Sequence, residues 1–413
     1  MLLVHLLSNR PIFYGWIIVG IASLVAFSSG PGQSYTFSVF IDSMIADSGL
    51  SRTDISVLYA VGTGISAATV MIVSRMADKF GPRMMVVITV TCLTLTCIGM
   101  GFATWWLAFF VAFMALRAFG QGSIPINATL LTAQWFVRIR GRAMAVMLLG
   151  FSFSMALMPI LSRTLIDGLG WRMAYVFLGV FIWLLVVPVA MIFLRNTPEE
   201  MGLYPDGSVD SPEEDTVLNI VGDDRRKILT STTFWGLALP LSTPSFVSTA
   251  LVFHQAAIFS ELGMSATVAA AAFLPLSISA VVASVSSGFI ADRFGPKRLF
   301  YVAMILLVTS IVVIGFVDSL PLALLYSVIL GTSNGTGQLV SNVLWAHYYG
   351  RHRLGRVQGS ANMIMIAASA LGPLPLAMAQ GFMGEFGTGI MLMGVLPICA
   401  VVVMSLVNTD HIK

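Results

Sequence analysis

Long apolar runs separated by short polar stretches fill this chain. Runs at 176–194, 301–317 and 391–408 each reach or approach the roughly 20 residues that cross a hydrocarbon core. The pattern predicts twelve spans, near 12–41, 54–75, 84–103, 106–134, 143–166, 172–194, 232–260, 266–290, 299–317, 321–348, 357–380 and 388–408. All are predicted helical, because backbone in lipid must satisfy its own hydrogen bonds. Several spans carry Gly or Pro in mid-course: Gly30, Pro31 and Gly32; Pro125; Pro159; Pro240 and Pro244; Pro373 and Pro375. Such residues kink or break helices, and broken helices line cavities, so a binding site is expected there.

Composition agrees with this pattern. With 57% apolar and 10% charged residues, 413 residues have too little polar surface to coat a soluble globule. Basic residues gather in alternate loops: Arg75, Lys79 and Arg83; Arg138, Arg140 and Arg142; Arg293, Lys297 and Arg298; Arg351, Arg353 and Arg356. These loops are expected in the cytoplasm with both termini. Residues 195–231 are rich in Asp and Glu and end in Arg225, Arg226 and Lys227. They read as a solvated cytoplasmic linker between domains 1–194 and 232–413. The start, MLLVHLLSNRP, is too short for a signal-peptide core, so the first span is expected to be its own insertion signal. Cys92, Cys97 and Cys399 lie in apolar spans without metal-ligand spacing and read as packing residues. No basic run interleaved with aromatics suggests nucleic acid. No cofactor or metal is expected, and the protein is expected to be a monomer in its lipid bilayer.

Sliding the sequence along itself brings SRMADKFGPRM (74–84) onto GFIADRFGPKR (288–298). Gly141 and Arg142 then meet Gly355 and Arg356, Pro159 meets Pro373, and Gly49 and Ser51 meet Gly263 and Ser265. Each half is therefore six helices in the same order, a parallel repeat. The paired loops resemble the signature of the major facilitator superfamily, a Gly-x-x-x-Asp-Arg-x-Gly-Arg-Arg-like loop after the second helix with a copy after the eighth. Ser74 and Lys79 depart from that pattern in the first copy. The resemblance implies an all-α membrane protein with the major facilitator fold, twelve helices forming two six-helix repeats. FYGWIIVG (13–20), WFVRIRGRAMA (135–145), NTPEEMGLYPDG (196–207) and His254 in VFHQ are similar to the bacterial branch of monocarboxylate transporters and oxalate/formate exchangers. That branch implies secondary transport of small organic anions, with a proton or in exchange. Related members often place an Arg in the eighth helix or a Lys in the eleventh; 266–290 and 357–380 contain neither.

Arg117 is the one charge placed near the bilayer midplane, where an ionised side chain is costly unless it finds a partner or water. Either it binds an anionic carboxylate through its planar guanidinium, or it is tied to carbonyls of neighbouring helices. Gln121 and Asn127 accompany it on the fourth span; Asn334, Gln338 and Asn342 lie on the tenth, its repeat partner. These amides either bind substrate or tie helices together. Gln33 and Tyr35 follow the Gly-Pro-Gly break and are expected to line the cavity. His254 is either a proton site, since imidazole titrates near neutral pH, or a buried neutral histidine. Asp78, Arg83, Asp292 and Arg298 in the repeated loops read as a conformational latch of charge pairs, or as a topology signal.

Three readings compete: an organic-anion transporter; an exporter of neutral or hydrophobic compounds, favoured by 24 methionines that make an adaptable cavity; and a sensor or membrane enzyme. The last is disfavoured, because the chain lacks a P-loop, HExxH or nucleophile motif, and its longest loop is too short for an output domain.

Overall fold

The computed structural model describes residues 13–207 and 231–407. Among them nearly every position is helical and none is in a strand. In chain order the helices are α1 (Gly15–Phe27), α2 (Ser34–Ser48), α3 (Arg52–Phe80), α4 (Pro82–Gly101), α5 (Trp106–Leu116), α6 (Ile124–Trp135) and α7 (Arg140–Phe193). There follow α8 (Thr232–Glu261), α9 (Ala266–Ala271), α10 (Phe273–Phe294), α11 (Pro296–Ile314), α12 (Leu320–Leu371), α13 (Pro373–Met383), α14 (Gly387–Met393) and α15 (Val395–Leu406). Among the described residues, nine stretches are long and apolar enough to cross a membrane, with 141–193 counted once. That stretch turns at Gly170, whose φ is 77°, and so holds two crossings. The 52 residues of α12, rising about 1.5 Å each, exceed twice the thickness of a hydrocarbon core, and the stretch at 360–383, already one of the nine, begins within it. Large apolar side chains project outward along the helices, Phe289 and Phe382 among them, as a lipid-facing surface requires.

The chain forms two compact units, Met1–Ser48 with Val61–Val217, and Gly49–Ala60 with Leu218–Lys413. The first turns of α3 therefore belong with the second unit, where the Tyr59 ring lies 4.5 Å from that of Phe253.

The repeated loops share one backbone shape. Gly81 (φ 81°, ψ 150°) and Gly295 (φ 81°, ψ 151°) precede Pro82 and Pro296 at the first positions of α4 and α11. Positive φ at this turn calls for glycine, and proline suits the first helical position because its missing N–H would go unbonded there.

The segment expected as a solvated linker differs in its first part: residues 195–207 pack onto the first unit. Asp206 adopts φ 60°; its Oδ2 accepts from the N–H groups of Val137 (3.0 Å) and Arg138 (2.7 Å), and its Oδ1 from Ile139 (3.3 Å). These donors are free because the chain leaves α6 at Phe136 and re-enters helix at Arg140. Asn196 Oδ1 likewise accepts from the Arg83 N–H at 3.1 Å. The acidic and basic stretch at 210–227 lies outside the described residues.

Candidate functional site

In the first unit the site is built on a broken helix. Pro31 has no N–H to donate, so α1 ends at Phe27, a 3-10 turn covers Gly30–Gly32, and Gln33 is extended before α2 begins. The Ser28 and Ser29 hydroxyls each donate at 2.7 Å, to the carbonyls of Val25 and Ala26. The break lets backbone meet backbone: a Cβ on Gly32 would stand 2.2 Å from the Leu116 carbonyl oxygen, and one on Gly120 2.7 Å from Gly32 Cα.

The fourth span answers with a break of its own, a π turn over Arg117–Ser123. It widens the helix and carries Arg117 at its first position. Arg117 is fully buried. Its Nη1 donates to the Gly32 carbonyl at 2.8 Å and its Nε to Thr63 Oγ1 at 2.9 Å. The guanidinium thus holds a carbonyl that the broken helix has released, and bridges three spans.

Gln33, buried, donates through Nε2 to Ser29 Oγ at 3.3 Å. Tyr35, also buried, donates through its hydroxyl to Ser154 Oγ at 3.0 Å. Gln121 is half-buried, and its Oε1 is enclosed without a hydrogen-bond partner. Asn127 is buried deeper, with Nδ2 on Thr89 Oγ1 at 3.1 Å. Arg117, Gln33, Tyr35 and Gln121 thus all sit at the two breaks of one unit.

In the second unit His254 is fully buried. Its Nε2 is 2.9 Å from the Pro373 carbonyl oxygen. A carbonyl only accepts, so Nε2 carries the proton and Nδ1 presents a lone pair. Nδ1 has no hydrogen-bond partner; the rings of Phe253 and Phe386 flank the imidazole at 5.0 and 5.4 Å. The Arg52 guanidinium stands over Phe386 at 5.7 Å, and the Glu261 carboxylate accepts from the Phe386 N–H at 3.0 and 3.2 Å. Asn334 Oδ1 accepts from the Ser248 hydroxyl at 2.5 Å. Gln338 is exposed. The side chain of Asn342 lies outside the described residues.

Of the latch residues, the side chains of Asp78 and Asp292 also lie outside the described residues. Arg83 Nη2 donates to the Met191 carbonyl at 2.6 Å, and Arg298 is exposed. Among the described residues no group of His, Cys, Asp or Glu could hold a metal ion.

A chain whose described residues hold at least nine membrane-length apolar stretches, with buried polar groups at helix breaks, is built as a multi-pass membrane protein. A profile of the Major Facilitator Superfamily matches residues 22–373, and the chain belongs to that family of transporters. It is similar to the riboflavin transporter RibJ of Trypanosoma brucei brucei, 25% identical over 196 residues, which cover 46% of this chain and 35% of that one. It is also similar to a probable hexose phosphate transport protein of Chlamydia pneumoniae, 29% identical over 185 residues, 42% of this chain and 37% of that one. These matches span well under half the length of either relative. Among solved structures, a bacterial homologue of the human lysosomal transporter Spinster, inward-facing and unoccupied, superposes with TM-score 0.77 at 15% identity over 97% of this chain and 98% of that one. The occupied form gives 0.74 over 98% of each. This likeness shows the fold alone.

Proposed function

We propose that the protein is a secondary active transporter that moves a small organic anion, of the monocarboxylate or sugar-phosphate class, by alternating access. The observation that carries this reading is the fully buried Arg117 at the junction of two broken helices. Its bonds to Gly32 and Thr63 fix its place, and a buried positive charge attracts an anion strongly where water is scarce. Gln33, Tyr35 and Gln121 supply neutral hydrogen-bonding groups beside it, and the enclosed Gln121 Oε1 favours a solute that also donates a hydrogen bond, such as a hydroxy acid. On the second unit Asn334 and Gln338 are assigned to the same solute. The likeness at 13–20, 135–145 and 196–207 favours a monocarboxylate, and the similarity to the probable hexose phosphate transport protein of Chlamydia pneumoniae favours a sugar phosphate; both are organic anions.

His254 is assigned the coupling proton, taken up at Nδ1, for transport with a proton; without it the carrier exchanges solute for solute. The excess of basic residues in alternate loops supports a cytoplasmic position for both termini.

Uptake into proteoliposomes tests the reading, with hydroxy-monocarboxylates, hexose phosphates, riboflavin and an uncharged sugar at two pH values. Anion uptake is expected, abolished in Arg117→Gln and partly kept in Arg117→Lys. Uptake of riboflavin or the neutral sugar alone, unchanged in Arg117→Gln, would overturn it in favour of a carrier of neutral compounds.

A further inference from the structure

The second copy of the repeated loop lines a cleft. Arg293, Lys297, Arg298, Tyr301 and Tyr348 line a volume of about 510 Å³ around Gly295 and Pro296, where α10 turns into α11. Three cations thus share one concavity with two phenol rings. Among the described residues none of the three forms an ion pair with a carboxylate.

The first copy shows what such a turn binds. There Asn196 Oδ1 accepts from the Arg83 N–H and fills the notch over Gly81, where a Cβ would stand 2.4 Å from it. Arg83 spends its own guanidinium on the Met191 carbonyl. Lys297 is the repeat partner of Arg83, yet a Cβ on Gly295 meets nothing within 4 Å. The same backbone shape, with a helix N-terminus that favours an oxygen anion, is filled by a side-chain oxygen in one copy, and in the other no described residue fills it.

Two rows of exposed apolar residues run into this cleft. On α10 they are Ile278, Val282, Val285 and Phe289, and the next position of that row is the exposed Arg293. On α11 the row starts at the exposed Arg298 and continues through Val302, Ile305 and Val312. A soluble phosphate would use the cations and ignore these rows; a phospholipid uses both, its phosphate among the cations and its acyl chains along the helices.

We propose that this cleft is a binding site for the headgroup phosphate of an anionic phospholipid.

Lipid retention by the full-length protein tests it, measured by native mass spectrometry and by melting temperature in detergent, with phosphatidylglycerol, phosphatidylcholine or inorganic phosphate added. Phosphatidylglycerol is expected to stay bound and raise the melting temperature more than phosphatidylcholine, and inorganic phosphate at millimolar concentration to do neither. Lys297→Gln and Arg298→Gln are each expected to weaken phosphatidylglycerol binding about fivefold, and the triple change with Arg293→Gln about a hundredfold. Arg83→Gln, in the filled copy, is expected to change it little. Asn408 follows the last span as Asn196 follows the sixth and lies outside the described residues, so Asn408→Ala is included and expected to leave retention unchanged. The proposal falls if the single variants, which serve even where the triple one misfolds, retain lipid like the parent. It falls equally if both lipids bind alike, if inorganic phosphate stabilises as well as lipid does, or if Asn408→Ala raises retention by vacating the notch.

Discussion

Replacing Gly120 by alanine tests whether the close approach of the first and fourth spans sustains the site. A Cβ there would lie 2.7 Å from Gly32 Cα, 3.0 Å from Gly32 N and 3.2 Å from the Ser29 carbonyl oxygen. These are backbone atoms that cannot swing aside. Carbon atoms rest about 3.5–4.0 Å apart, so the two segments must separate by about 1 Å. The Arg117 Nη1 bond to the Gly32 oxygen, now 2.8 Å, then passes out of hydrogen-bond range. Overpacking costs about 1–3 kcal/mol and the lost charged hydrogen bond about 1.5–3 kcal/mol, while alanine regains up to about 1 kcal/mol of helical preference. The net loss is roughly 2–5 kcal/mol. Thermal unfolding in detergent and uptake in proteoliposomes are compared with Gly64→Ala, where a Cβ meets nothing within 4 Å. Gly120→Ala is expected to melt well below the parent and to lose uptake, while Gly64→Ala tracks the parent. In an Arg117→Gln background, where the bond is already gone, the cost of Gly120→Ala is expected to shrink by about 1.5–3 kcal/mol. Equal melting of Gly120→Ala and Gly64→Ala would refute the steric argument, and equal cost in both backgrounds would remove Arg117 from it.

Asp206→Ala strips the acceptors from three backbone N–H groups and is expected to speed amide exchange at Val137 and Arg138 by about a hundredfold, the equivalent of about 3 kcal/mol; Asp206→Asn, which tolerates the left-handed backbone and keeps one acceptor, is expected to fall between, and unchanged exchange in the alanine variant would contradict the capping role. His254→Gln is expected to keep solute-for-solute exchange and to lose accumulation driven by a pH gradient; a variant that still accumulates solute in response to the gradient leaves the histidine as packing. Asn196→Ala empties the notch over Gly81 and is expected to lower the melting temperature, whereas Thr197→Ala next to it is not; no difference between the two would show that the notch contributes nothing.

The spans, the repeat and the broken first helix were legible because each rests on a local signal: apolar length, a repeated loop, or glycine beside a proline that cannot donate. Arg117 was legible as a buried charge for the same reason. Its partners were not, since Thr63 lies on another span and the Gly32 carbonyl becomes available only once the break has formed. The π turn over 117–123 has no periodicity that distinguishes it from helix, although the glycines of FGQGS follow the arginine directly. In residues 195–207 acidic composition fits the exposed Glu199 and Glu200 but does not express the packing of the segment onto the first unit. Asp206 is held by geometry that composition does not express, three amides left free between α6 and α7. Gln338 shows the converse limit: helical spacing places it on a face with Asn334, but only packing decides that one is half-buried and the other exposed.

On the proposed function, a division of roles between the two units follows from what each buried group can do. A guanidinium keeps its charge at any physiological pH, so on the proposed function Arg117 supplies a fixed positive charge and cannot report a proton gradient. An imidazole can change charge, and His254 has one ring nitrogen committed to the Pro373 carbonyl and the other without a partner. A proton on Nδ1 therefore adds positive charge without breaking the bond that holds the ring. Exchange of one anion for another needs only the fixed charge, because no net protonation changes over the cycle. Accumulation against a gradient needs both, since the proton must arrive with the anion on one side and leave with it on the other. On the proposed function, loss of the arginine therefore removes both modes, and loss of the histidine removes one.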